Sequence, residues 1–173
     1  MKKGKLRELA NSHTTQSAHG VVKLLLADHE LMRKLMDRVK SQKATPARQK
    51  QAFRELDRTV QSHVKAEEST FLKMIKNHPK FKDRTLEGYE EHRVHETIVS
   101  GIKHVRDQTR QVEQMKIFCE ILEHHLDEEE EYLFPRFKKY AALSTRRKMG
   151  KRFLKVRKAT NTTSKQRGAA RLS

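Results

Sequence analysis

The sequence predicts an all-α fold, an up-down-up-down four-helix bundle, on three observations. A 3.6-residue apolar period recurs four times through the body of the chain. No stretch sustains the period of two that a half-buried strand needs. Six Gly and three Pro in 173 residues are too few for the many turns of an all-β chain.

The first helix is predicted over about Val21 to Lys40. Val22, Leu25, Met32, Met36 and Val39 form its stripe, with His29 inside it. The second starts after Thr45-Pro46, a capping residue followed by proline at the first helical position, where its missing N–H costs nothing. It runs to about Asn77, before His78-Pro79, on a stripe of Phe53, Leu56, Val60, His63, Glu67, Phe71 and Met74. The third spans about Thr85 to Val105, with Tyr89, His92, Glu96 and Val99 in line and Ile98, Ile102 and Val105 flanking. The fourth spans about Gln111 to Phe134 on Met115, Phe118, Leu122, His125, Glu129 and Leu133, and Pro135 kinks or ends it. Four such helices with short connections make a bundle.

Charge divides the chain into a basic N-terminal segment (1–20), the bundle (21–140) and a basic C-terminal tail (141–173) expected to be flexible and largely disordered. The formal net charge is +17, yet Val21 to Glu131 carries 21 residues of each sign. Tyr132 to Ser173 holds fourteen Lys and Arg and no acid. A neutral body with a cationic tail is not the footprint of a fold-wide nucleic-acid binder. Met149, Phe153 and Val156 recur at helical spacing, so residues 144–173 are a candidate contact for nucleic acid, an acidic partner or an acidic membrane surface. No apolar run approaches the ~18 residues of a transmembrane segment. The single cysteine, Cys119, excludes an internal disulfide framework and an all-Cys zinc site. With no leader pattern at the N-terminus, the expected location is cytoplasmic.

Ten His are the composition's outlier. Burying a charge or an unpaired imidazole is costly, yet His interrupts every predicted stripe and Glu interrupts three. Residues four apart stack on one helix face, so His63 and Glu67, His92 and Glu96, and His125 and Glu129 each point together. His29, His63, His92 and His125 are spaced 34, 29 and 33 residues apart, about one helix plus one turn, so all four can share a layer. Metal ions would satisfy such a cluster. A donor set of imidazole and carboxylate without thiolate disfavours structural zinc and iron–sulfur clusters. Two six-coordinate irons need about twelve donor positions, and four His with two bridging carboxylates leave about four for an oxo or hydroxo bridge and an exogenous ligand. His124 and Glu128 also stand four apart but off the stripe, so His124 is the lesser donor candidate. Ferritin-like Glu-x-x-His is absent, and His95-Glu96 lacks the second His of a zincin because position 99 is Val.

The strings LLLADHELM (24–32), HVKAEESTFL (63–72), YEEHRVHE (89–96) and HLDEEEEYLFP (125–135) resemble the hemerythrin-like, or HHE cation-binding, family over about Val21 to Phe137. That resemblance implies a bundle holding a non-haem di-iron centre. His29, His63, His92 and His125 would be terminal ligands, and Glu67 and Glu129 bridging carboxylates. Oxygen carriers of the family place a second His where this chain has Glu96. The ligand set is thus closer to the bacterial and regulatory branch, and Glu96 is a seventh ligand, an acceptor fixing an imidazole, or a channel residue. The expected function is binding or sensing of oxygen, nitric oxide or peroxide. The alternatives are iron handling, a peroxide-detoxifying enzyme, or a bundle scaffold whose tail engages a partner.

Overall fold

The computed structural model describes the backbone of residues 20–169 and the side chains of residues 20–160. The basic N-terminal segment up to residue 19, with His13 and His19, lies outside them. Among the described residues there are helices and no strand. Helix α1 is Val21–Lys40. Helix α2 runs Pro46–Glu67, passes through a π-helical turn at Glu68–Leu72 and closes with Lys73–Ile75. Helix α3 is Lys82–His104. Helix α4 runs Gln108–Glu128, passes through a second π turn at Glu129–Leu133 and continues as Phe134–Tyr140. Helix α5 is Leu143–Ala169. No described helix is long and apolar enough to cross a membrane.

The starts of α2 and α4 are chemically specified. The Thr45 side chain accepts from the Arg48 N–H, with Pro46 at the first helical position. The Asp107 carboxylate accepts from the Arg110 N–H at 2.7 Å. Pro135 neither ends nor interrupts α4. It stands at the start of the segment after the π turn, where the helix register has already shifted.

Both π turns move the buried face forward by one residue. Met74, expected on the α2 stripe, is 47% exposed, and Ile75 is buried in its place at 1%. A π turn inserts one residue into the α repeat, so every later side chain is rotated relative to a straight 3.6-residue count. The α4 counterpart buries Leu133, Phe134 and Phe137 together.

Two apolar clusters result. One joins Val21, Val22, Leu24 and Leu25 of α1 with Phe71, Leu72 and Ile75 of α2, Phe81, and Phe134 and Phe137 of α4. The other joins Met32, Met36 and Val39 of α1 with Phe53 and Leu56 of α2, Ile102 of α3, and Phe118 and Leu122 of α4. On each of these helices a polar, buried stretch separates the two.

The C-terminal tail differs from expectation. It is helical over Leu143–Ala169 and not largely disordered. Met149 and Phe153 are buried in the first cluster, with Leu154 and Val156 packed against it. Their four-residue spacing supplies an apolar stripe, and burying a whole phenylalanine contributes about 1.5–3 kcal/mol. α5 packs on α1 and α2. Against α1 it comes so close that a Cβ on Gly20 would lie 3.2 Å from the Arg146 Cβ.

Candidate metal centre

Between the two apolar clusters the six ligand candidates are all buried, His29 from α1, His63 and Glu67 from α2, His92 from α3, and His125 and Glu129 from α4, with Asp28 and His95 buried beside them. The i,i+4 spacing of His63 with Glu67 and of His125 with Glu129 turns each pair inward. Each glutamate stands where the α helix passes into a π turn. Two groups of donor atoms form, each within 4.8 Å mutually: His29, His63 and Glu129 in cluster one, Glu67, His92 and His125 in cluster two.

Glu67 also ties the clusters together. Its Oε2 lies 3.5 Å from His63 Nε2 and 3.6 Å from His92 Nε2. Glu129 Oε2 is 3.4 Å from His29 Nε2. These are electrostatic approaches without hydrogen-bond geometry. Both oxygens of Glu67 and of Glu129, and Nε2 of His29 and of His63, have no hydrogen-bond partner although they are buried. Orphaned buried acceptors cost ~1–3 kcal/mol each, more when charged. Cations between them would remove that cost, so the residues present fit metal ions.

The other ring nitrogen of each histidine faces a carboxylate. His29 Nδ1 meets Glu130 at 2.8 Å, His92 Nδ1 meets Glu68 at 2.9 Å, and His125 Nδ1 meets Glu91 at 2.6 Å. His63 Nδ1 lies 3.5 Å from Asp28. An ionised carboxylate only accepts, so Nδ1 donates and Nε2 is left to offer a lone pair inward. The pattern repeats. The acid preceding the histidine of α1 or α3 (Asp28, Glu91) faces the histidine of the next helix. The acid following Glu67 or Glu129 (Glu68, Glu130) holds the histidine of α3 or α1. Arg33 fastens Glu130, Asp127 and Glu123 at 2.7 Å each.

The electrostatics favour positive charge in the layer. Burial opposes charging His63, but Asp28 and Glu67 outweigh it and push the ring up to about 10. His125 is likewise raised, burial being outweighed by Glu129 and Glu91. Burial, helped by repulsion from His63, lowers His29 despite Glu130. Two carboxylates in one dry pocket cannot ionise equally. Burial and the charge of Glu67 push Glu129 well above its usual range, whereas His63 and His92 overcome burial and hold Glu67 down. The hydrogen bond from His29 brings Glu130 down to about 2.

The two clusters differ in access. The rings of Phe134 and Phe153 lie 5.5 Å from His29 and 6.1 Å from His63, sealing cluster one. On the other side a groove of about 940 Å³ opens between α2 and α3, and His92, Glu68 and Tyr89 line it. Tyr89 Oη donates to the Glu68 carbonyl at 3.3 Å.

Several candidates stand elsewhere. Glu96 is exposed on the groove wall, outside both clusters. His124 is exposed and 3.9 Å from Glu128. His78 and His104 stack on Tyr140 and bond the Ser100 carbonyl respectively. His95 is buried against Phe118 and His125, its Nδ1 without a partner. Burial, with His125 and His92 adding repulsion, takes it to about 3. Asp28 and Glu91 were missed in the sequence. The signal was there as an acid directly before an inward histidine in both halves.

The family model for the hemerythrin HHE cation-binding domain matches residues 20–137. No curated protein and no solved structure gives a match. The match ends before α5 begins and spans both clusters and every carboxylate behind their histidines. The chain belongs to the hemerythrin HHE cation-binding family.

Proposed function

We propose that the protein is a non-haem di-iron protein that binds or senses a small redox ligand: oxygen, nitric oxide or peroxide. His29, His63 and Glu129 would hold one ion and Glu67, His92 and His125 the other, with Glu67 and Glu129 as the inward carboxylates of the pair. The observation that carries this reading is the set of buried, inward-facing donors, with both oxygens of Glu67 and Glu129 and Nε2 of His29 and His63 unpartnered, Nε2 of His92 and His125 meeting each other at 3.3 Å, and each histidine backed by a carboxylate at its outer nitrogen. When bound, the irons would supply redox chemistry and positions open to a small ligand. The chain's own part is electrostatic and steric. Four carboxylates on Nδ1 atoms fix the rings and raise their donor strength. Phe134 and Phe153 exclude water from cluster one, and the groove between α2 and α3 gives a small ligand its path toward His92.

Anaerobic reconstitution with ferrous iron, then metal analysis and an optical spectrum in air, tests the reading. Two irons per chain and a visible band that shifts with azide, peroxide or nitric oxide are expected. A colourless protein with one zinc overturns it. The groove also favours turnover of peroxide at cluster two, because its wall reaches buried His92. Steady-state peroxide loss abolished by His92→Ala distinguishes catalysis from sensing.

A further inference from the structure

α5 lies outside the matched domain, yet it reaches the centre through one residue. Arg157 Nη1 donates to Asp28 Oδ1, and the other oxygen of that carboxylate faces His63 Nδ1. The Arg157 guanidinium also lies over the Phe153 ring at 5.7 Å, and its carbonyl accepts from Ser62 Oγ at 3.3 Å. Its position is therefore set by the docked helix. Asp28 and Glu91 occupy equivalent places in the two halves, but Glu91 carries no such arginine among the described residues. Glu91 approaches its histidine to 2.6 Å, while Asp28 stays 3.5 Å from His63. Glu130 shares its His29-facing oxygen with Arg33 and still lies 2.8 Å from that ring, so the comparison that bears on Asp28 is with its equivalent Glu91. Of these two, the long contact is the one whose carboxylate is held from α5 through its other oxygen.

We infer that Arg157 is a positioning residue of the metal centre: by holding Asp28 away from His63, docked α5 weakens the metal-binding strength of cluster one. This rests on the di-iron reading above. A guanidinium on one oxygen withdraws charge from the other, so His63 Nδ1–H meets a weaker acceptor and Nε2 is a poorer donor. Linkage makes the effect reciprocal. A cation at cluster one favours Asp28 closing on His63, which loosens Arg157 and with it the docking of α5. A cationic helix is thereby released or held according to the state of the centre.

Cobalt(II) titration of the full chain, followed by the visible spectrum, tests this. Wild type takes two ions in a tight and a weak step. Arg157→Met strengthens the weak step about tenfold, changes its band shape and leaves the tight step alone. Arg157→Lys restores most of the wild-type profile, and the exposed Arg152→Ala matches wild type. Independently of any variant, cobalt loading of wild type accelerates amide exchange over residues 149–157. A weak step unchanged or weakened in folded Arg157→Met overturns the inference, and so does exchange in wild type that is unchanged or slowed by cobalt. Wild type that takes up no cobalt removes the metal reading itself, and this inference with it. Two ions bound with those contrary results removes only the role of Arg157.

Discussion

Glu68 and Glu130 touch no inward-facing donor atom, but each holds the ring of a proposed ligand. Replacing such a carboxylate by its amide keeps the shape and loses the charge, so the imidazole becomes a weaker donor. Glu130→Gln is expected to weaken iron at cluster one by about 10–100-fold, and Glu68→Gln to do so at cluster two, as read by competition with a chelator. Exposed Glu131→Gln is the control and leaves both affinities unchanged. Cys119 gives a second test at this scale, away from the centre. It is fully buried, and burial pushes its thiol up to about 12. The folded chain therefore resists iodoacetamide at pH 8, and the unfolded chain reacts. A raised thiol also fixes the sign of its pH dependence. Its contribution to stability is complete below about 9, its ordinary value, and is lost as pH climbs toward 12. Rapid alkylation of native protein at pH 8 would contradict this placement.

The helices themselves were largely legible, because a 3.6-residue apolar period survives in the sequence wherever one face is buried. Val22, Leu25, Met32, Met36 and Val39 are all buried as expected, and so are Met115, Phe118 and Leu122. The inward set of His29, His63, Glu67, His92, His125 and Glu129 was legible for a second reason: ionisable residues on an apolar stripe have few explanations. The π turns were not legible. A period count assumes a constant rotation per residue, and one inserted residue leaves composition and spacing looking ordinary. The test belongs to α2, downstream of its π turn. Ile75→Ala is expected to cost about 2–5 kcal/mol in urea unfolding, the range for truncating a buried aliphatic side chain. Met74→Ala, one position earlier and exposed, is expected to stay within about 0.5 kcal/mol. Reversed magnitudes would mean that α2 continues as an unbroken α-helix past Glu67. The tail was legible only in part: the helical spacing of Met149, Phe153 and Val156 stands in the sequence, while disorder was expected for most of the segment. Its charge density argues for disorder, but a helix needs only one apolar stripe to dock, and Met149 and Phe153 supply it.

For the whole molecule, the polar layer is a discontinuity. It separates two apolar cores, and it leaves buried donors unsatisfied where a continuous core would have placed leucine or phenylalanine. A metal-free chain carries that cost, and any ion that binds the folded layer but not the unfolded chain offsets it. Stabilisation by such binding is about 4 kcal/mol when free ligand stands at 1,000 times its dissociation constant. For a chain of this size each kcal/mol moves the midpoint of thermal unfolding by about 2–4 °C. Metal loading is thus expected to raise Tm on the order of 10 °C, and a chelator to reverse the rise. Glu67→Gln should abolish most of the metal-dependent increment, because Glu67 serves both clusters and its amide carries no charge. Phe53→Ala, in the second apolar cluster, separates this effect from ordinary packing. It should lower Tm through a loss of about 3–5 kcal/mol, the usual cost of emptying a buried phenylalanine site, while the increment caused by metal persists. Calorimetry of the three chains with and without ferrous iron decides it. An increment that survives Glu67→Gln intact would place the stabilising ion somewhere other than this layer.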